Sequence, residues 1–131
     1  MIGIWGEHAA TFAVVFAIVS SLVFALPFVF APMAWGRALR WSIPDDGDLT
    51  RYFARCLGLL ALSFNAVAIW GALRHPAWIE AYLVTLAIFS ATMVPLHIYG
   101  WLRREQPWTE TAEVPIWAAI CFVTVGFLPG G

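Results

Sequence analysis

Four long runs of the chain contain no charged side chain and consist mostly of apolar residues. They cover residues 9–36, 56–73, 81–102 and 114–131, which are 28, 18, 22 and 18 residues long. About 20 apolar residues in an α-helix cross a hydrocarbon layer of roughly 30 Å. The runs lack the two-residue alternation of membrane barrel strands. The pattern therefore predicts an all-α fold with four transmembrane helices.

Proline and aromatic residues near the ends of the runs refine the four predicted spans. We expect them at about 9–35, 52–73, 78–102 and 114–129. Pro27 and Pro32 are expected to bend the first helix. Short connections favour antiparallel packing of consecutive helices. The whole chain, residues 1–131, is thus predicted to form a single transmembrane domain, an integral membrane antiparallel four-helix bundle.

Composition and charge support a membrane location and argue against nucleic-acid binding. Hydrophobic residues make up 62% of the chain and charged residues only 11%, whereas soluble proteins carry about 25% charged residues. The chain has no Lys and a net charge of -1, so it lacks the basic surface that nucleic acid requires. We expect membrane lipid, and no nucleic acid, around this protein.

The distribution of arginine predicts the orientation of the chain. Six of the seven Arg lie in or near the connections after the first and third spans, and one, Arg74, lies after the second. Positively charged connections face the cytoplasm. We expect a multi-pass protein of a bacterial-type inner (plasma) membrane, with both termini outside.

Small residues form a stripe along the second span and include one polar side chain at mid-depth. The stripe has helical spacing and comprises Ala54, Gly58, Ala61, Asn65, Ala68 and Ala72. Small residues let membrane helices approach closely. The Asn65 amide needs a partner inside the membrane, either a neighbouring helix or a bound molecule. Asn65 is therefore a candidate ligand-binding residue.

His97 and Arg55 are the candidate catalytic residues. His97 lies near the cytoplasmic end of the third span and follows Pro95, which removes a backbone hydrogen bond. An imidazole there can transfer protons or bind a ligand, although an interfacial structural histidine is the alternative. Arg55 lies one turn inside the second span and needs a counter-charge. The candidate partners are acidic residues near the cytoplasmic side, namely Asp48, Glu105, Glu110 and Glu113.

Glu110, Glu113 and Tyr99 complete the candidate ligand-binding set. The two glutamates are three residues apart and face one side of a turn. With a nearby His they could hold a divalent metal, but such pairs more often bind Arg or solvent, so no metal site is predicted. Tyr99 belongs to a polar line on the third span, next to the line of His97.

The chain resembles the DoxX-like family of small four-helix membrane proteins. The resemblance lies in the four-span layout, in the Arg55–Cys56–Leu57–Gly58 start of the second span, and in His97 late in the third. It implies a four-helix membrane fold. Some relatives in that family are linked to quinone-coupled oxidation. The resemblance implies such an activity for this chain as an expectation, but it identifies no catalytic residue.

These features predict a protein that binds or converts a lipophilic small molecule of quinone, isoprenoid or polycyclic type near the cytoplasmic side. It could be a membrane-embedded oxidoreductase or isomerase, and its cofactor is unknown. The alternative is a non-catalytic structural subunit of a larger membrane complex, or a homo-oligomer. A small transporter or channel is the third interpretation. A cavity around His97 would favour a binder, whereas an outward-facing stripe of small residues would favour a scaffold.

Overall fold

The computed structural model describes residues 2–43 and 47–129, which contain helices and no strands. The remaining positions of the predicted 1–131 domain lie outside the described part. A short 3-10 turn (Gly6–His8) and a π-helical segment (Ser21–Ala25) flank the first helix. In chain order the helices are α1 (Ala9–Ser20), α2 (Leu26–Phe30), α3 (Pro32–Ala38), α4 (Asp48–Arg74), α5 (Ala77–Arg103), α6 (Trp108–Thr111) and α7 (Val114–Gly126).

In the described part of the chain, three helical stretches are long and apolar enough to cross a membrane. They are Gly6–Phe30, Asp48–Arg74 and Ala77–Arg103, with mean hydropathies of 2.6, 1.9 and 1.7. They overlap the first three predicted spans. The fourth, α7, has 13 residues and so a length of about 20 Å, less than the roughly 30 Å of a hydrocarbon core. The structure thus shows three candidate spans and a shorter fourth helix.

The first span ends earlier than the predicted residue 35. Ala31 has φ −137° and ψ 48°, and it separates α2 from α3. Pro32 follows directly, and a residue before proline is disfavoured in the helical conformation. Pro32 therefore interrupts the helix where the sequence predicted a bend.

The stripe of small residues on α4 packs inside the protein against the first span. Gly58, Asn65 and Ala68 are buried. A Cβ atom at Gly58 would lie 2.8 Å from the carbonyl oxygen of Ala25. Asn65, seven residues after Gly58, is hydrogen-bonded to Ser20, five residues before Ala25. Residue numbers thus increase in opposite directions along the two segments, so the first span and α4 run antiparallel. The stripe is therefore an internal contact, and only its last member, Ala72, is exposed.

Asn65 connects α4 to the first span and to α5. Its Nδ2 donates to the hydroxyl oxygens of Ser20 and Ser21, each at 2.9 Å, and its Oδ1 accepts from the hydroxyl of Tyr82 at 3.2 Å. Asn65 and Tyr82 are 4% and 1% exposed. Hydrocarbon offers no water to replace such bonds. Asn65 therefore has the interhelical partners that the sequence left as one of two alternatives.

At one end of the protein, the segment before α1 contacts the end of α7 and the residues that follow it. The backbone N–H of Trp5 donates to the carbonyl of Gly126 at 2.9 Å, and the rings of Phe12 and Phe127 stack at 4.3 Å. At the opposite end, Thr109 donates to the carbonyl of Leu39. The chain segments that follow α3 and α5 therefore meet at that end.

Replacement of Asn65 by Leu should destabilise the fold. The change leaves the hydroxyls of Ser20, Ser21 and Tyr82 without their shared partner, and we expect the free energy of unfolding to fall by about 1–2 kcal/mol. Unfolding in detergent followed by far-UV circular dichroism measures the change. Ser63→Ala is the matched control, because Ser63 is exposed and, among the described residues, bonds only to the Leu59 carbonyl of its own helix. Equal effects of the two substitutions would contradict this role of Asn65.

Candidate functional site

One imidazole and two carboxylates meet at the end of α5. The Nε2 atom of His97 lies 3.4 Å from Oε2 of Glu110 and 3.6 Å from Oε2 of Glu113. The three side chains are 5%, 15% and 29% exposed. We call this group, His97 with Glu110 and Glu113, the His97 cluster. These are three of the six candidate site residues predicted from the sequence, and the other three are Arg55, Asn65 and Tyr99.

The backbone after α5 folds the two glutamates over the histidine. His97 belongs to the buried face of α5. Arg104 ends that helix in the left-handed conformation, with φ 57°, so the chain reverses direction. Pro107 then adopts an extended conformation and precedes α6. Glu110 lies on α6 and Glu113 precedes α7, so their spacing of three residues directs both carboxylates toward His97.

Gln106 attaches the segment after α5, residues 104–113, to that helix. We call it the returning segment. Nε2 of Gln106 donates to the carbonyl of His97 at 2.9 Å and to the hydroxyl of Thr111 at 3.1 Å. The Gln106 amide also lies against Gly100, and a Cβ atom at that glycine would overlap it. Glycine at position 100 therefore permits the close approach that positions the segment.

Hydrogen bonds from outside the cluster orient each of its members. Nδ1 of His97 lies 2.7 Å from the carbonyl oxygen of Met93, which can only accept, so Nδ1 is the protonated nitrogen. The indole N–H of Trp41 donates to Oε1 of Glu110 at 2.9 Å. The indole N–H of Trp117 donates to Oε2 of Glu113 at 3.0 Å. These bonds leave His97 Nε2 and Glu110 Oε2 directed toward the middle of the cluster.

Burial disfavours the ionised form of Glu113. Burial, followed by the charge of Glu110, raises the pKa of Glu113, while the Trp117 hydrogen bond and His97 act in the opposite direction. The arrangement can exchange protons, donate or accept hydrogen bonds, or hold a cation. Its three candidate ligand atoms lie within 4.8 Å of one another.

Arginine pairing was one of the alternatives for the two glutamates, and the described part of the chain does not show it. There, the arginine ion pairs are Arg51 with Asp48 and Arg103 with Glu105. Glu110 and Glu113 face His97 instead.

Arg55 does not join the cluster. It is exposed, and its Nε donates to the carbonyl of Val29 at 3.3 Å. Val29 belongs to the last turn of α2, where the break at Ala31 leaves carbonyls without a continuing helix. Arg55 therefore stabilises a helix end rather than the buried acid that was expected.

Asn65 and Tyr99 also lie away from the cluster. Asn65 is bonded to Tyr82, which precedes His97 by 15 residues, or about 22 Å of helix. Tyr99 is 56% exposed, because two residues along a helix rotate a side chain by about 200°. The structure does not bring these two predicted ligand-binding residues to His97.

Three positioning residues were missed from the sequence. Trp41, Gln106 and Trp117 each donate a hydrogen bond to the cluster or to its backbone. The spacing of Glu113 and Trp117, one helical turn apart, is a signal that could have revealed one pair. No sequence signal links Trp41 to Glu110, since 69 positions separate them.

A cavity of about 490 Å³ opens beside the segment that follows α5, and no member of the His97 cluster lines it. Gln106 and Thr111 line it and also hold the returning segment in place. Its remaining wall is largely aromatic and carries one positive charge, from Trp101, Arg104, Trp108 and Ala112.

Comparison of the chain with protein families, with curated proteins and with solved structures finds no match. The chemistry of the site therefore rests on its own geometry.

Replacement of Arg55 by Leu should be tolerated. The substitution removes one hydrogen bond at an exposed position, so we expect the free energy of unfolding to fall by about 1 kcal/mol or less. Removing one partner of a buried ion pair would cost about 3–5 kcal/mol. Unfolding in detergent distinguishes the two values, and a loss in the larger range would show that Arg55 has a buried acidic partner.

Replacement of Gln106 by Ala should loosen the segment that carries Glu110. Two hydrogen bonds of about 1 kcal/mol each are lost, so amide hydrogen exchange in α6 should accelerate about 10- to 30-fold. Hydrogen exchange with mass spectrometry gives the rates. Glu105→Gln serves as the control, because Glu105 is exposed and pairs only with Arg103 in the described structure. Unchanged exchange in Gln106→Ala would remove Gln106 from this positioning role.

Proposed function

We propose that this chain is a membrane protein that binds or converts a lipophilic small molecule, whose polar group is held at the His97 cluster. The observation that carries the proposal is the enclosure of an imidazole and two carboxylates, 5%, 15% and 29% exposed, in a chain with three apolar helices long enough to cross a membrane. A cavity of about 490 Å³ is lined by Gln106 and Thr111 of the segment that carries Glu110, but not by the cluster itself. Buried ionisable groups at such a position are costly, and they are found where ligands or protons are handled.

The chemistry of the cluster suits a quinone, an isoprenoid or a polycyclic ring compound. Such molecules combine an apolar body with one or two oxygens, and ligand sites of this type pair apolar walls with a few polar groups. Trp101 and Trp108 supply aromatic surface in the cavity. His97 and the carboxylates can exchange a proton with a carbonyl or hydroxyl oxygen. An oxidoreductase or isomerase reaction would use the cluster in this way.

The proposal includes a particular placement in the membrane. In it, α7 with the residues after it, 114–129, forms a fourth passage, which completes an antiparallel four-helix bundle. The arginine-rich connections face the cytoplasm of a bacterial-type inner membrane and both termini lie outside. The His97 cluster then lies at the cytoplasmic surface. The resemblance to the DoxX-like family is part of this proposal.

A structural subunit or homo-oligomer is the competing function. Such a role would be favoured by a stripe of small residues facing outward, but Gly58 and Ala68 are buried against other parts of the same chain. A transporter would be favoured by free polar groups at mid-depth, and the Asn65 amide is bonded on both its atoms. These two observations support the binder over its alternatives.

Native mass spectrometry and organic extraction of the protein, purified in mild detergent, test the proposal. We expect about one lipophilic molecule per chain, with an absorption spectrum that gives its class. His97→Ala should lower its occupancy at least tenfold and retain the helical circular dichroism. His75→Ala is the matched control, because His75 precedes α5 at the opposite end of that helix.

Two outcomes would contradict the proposal. An empty protein that purifies as a defined oligomer or with partner subunits would indicate a structural role. Equal occupancy in His97→Ala and the wild type would place the ligand away from the cluster.

A further inference from the structure

We propose that the His97 cluster binds a divalent transition-metal ion through Nε2 of His97 and one carboxylate oxygen each from Glu110 and Glu113. The inference concerns a resident ion and holds whether or not a lipophilic molecule binds beside it.

The distances within the cluster fit an ion located between its members. A metal bonded at about 2.1 Å to each ligand separates neighbouring ligand atoms by roughly 3.0–3.5 Å. The distances from His97 Nε2 to the two carboxylates are 3.4 and 3.6 Å. Charge-assisted hydrogen bonds are shorter, at about 2.7–2.9 Å. The two distances from His97 Nε2 are therefore longer than charge-assisted hydrogen bonds and close to the separation of two ligands of one metal ion, and the three ligand atoms lie within 4.8 Å of one another.

The protonation of His97 directs a lone pair into the cluster. Nδ1 carries a proton because it faces the carbonyl of Met93. Nε2 is then the nitrogen that faces the two carboxylates. Histidines that bind metals characteristically donate their other ring nitrogen to a backbone carbonyl or a carboxylate. The hydrogen bond of Nδ1 to Met93 therefore places Nε2 in the position of a metal ligand.

The carboxylates have the outer hydrogen bonds that metal ligands usually possess. Trp41 donates to Glu110, and Trp117 donates to Glu113. Partners of this kind orient ligating carboxylates. For Glu110 the bond uses Oε1 and leaves Oε2 facing His97, whereas for Glu113 the bond uses the same Oε2 that faces His97. Both bonds restrict the orientation of the carboxylates before an ion binds.

No arginine occupies the carboxylates in the described part of the chain. Within residues 2–43 and 47–129, the basic side chain within 4.0 Å of Glu110 and Glu113 is His97. The carboxylate oxygens that face His97 are therefore open to a divalent cation.

The ligand set selects the class of metal. Imidazole nitrogen suits Zn²⁺, Fe²⁺ and related ions, whereas Ca²⁺ and Mg²⁺ prefer oxygen ligands alone. Three protein ligands leave coordination positions open, as in catalytic zinc sites. We therefore expect binding of Zn²⁺ and Co²⁺ in preference to Ca²⁺ and Mg²⁺.

Zinc titration of the purified, chelator-treated full chain in detergent tests the inference. We expect one high-affinity Zn²⁺ per chain by calorimetry, retained on desalting in the presence of excess Ca²⁺ and Mg²⁺, and a Co²⁺ absorption spectrum of low coordination number. His97→Ala, Glu110→Gln and Glu113→Gln should each weaken binding at least tenfold. His75→Ala and Glu105→Gln are controls at positions outside the cluster and should leave the affinity unchanged.

A second pair of variants covers failure of the ligand variants to fold. Trp41→Phe and Trp117→Phe retain all three ligands and remove only the orienting N–H groups, so each should weaken Zn²⁺ binding about tenfold with unchanged circular dichroism. Unchanged affinity in both would overturn the inference, and so would a wild-type protein that takes up no stoichiometric Zn²⁺ or control variants that lose binding equally. Zinc binding by a protein with no extractable lipophile would uphold this inference and contradict the proposed function, and the reverse result would do the opposite.

Discussion

A polar group inside hydrocarbon has no water to bond with, and this constraint determines how the helices of this protein meet. The Asn65 amide satisfies it by bonding to Ser20, Ser21 and Tyr82, which belong to two other parts of the chain. Hydrogen bonds require a donor–acceptor distance of about 3 Å, so these bonds hold only near one register of the helices. They therefore restrict the relative heights of the first span, α4 and α5, and the small residues around them allow the close approach.

Because α5 is one continuous helix, the position of Tyr82 along the molecule also determines the position of the residues near the other end of α5. Tyr82, Ser90 and His97 all belong to its buried face, so a helix whose height is set at Tyr82 also sets the height of His97. Pro95 lies inside α5 without ending it. The segment after α5 then brings the carboxylates of Glu110 and Glu113 to the level of His97. The cluster thus depends on the helix register that Asn65 restricts and on the left-handed turn at Arg104.

The large features were predictable from the sequence because they depend on local patterns. Runs without charge located the first three spans, and the spacing of Glu110 and Glu113 placed both on one side of a turn near His97. The errors concern contacts that no local pattern encodes. Arg55 was assigned an acidic partner because the break at Ala31, which exposes the Val29 carbonyl, is not evident from an apolar run. Tyr99 was chosen for its chemistry although its helical angle directs it away from His97. The length of α7 was overestimated because the apolar run continues beyond the last helical residue.

The tryptophans explain how a charged cluster can be stable at the boundary of an apolar region. An indole ring is apolar over most of its surface and carries a single N–H donor, so it can cover a carboxylate from the outside and still satisfy one of its oxygens. Trp41 and Trp117 do this for Glu110 and Glu113, and the carbonyl of Met93 does the equivalent for Nδ1 of His97. The bonds to His97 and Glu110 use the atoms that face away from the middle of the cluster, whereas Trp117 bonds the Oε2 of Glu113 that also faces His97. Nε2 of His97 and Oε2 of Glu110 therefore remain directed inward, where the proposals above place a polar ligand atom or a cation.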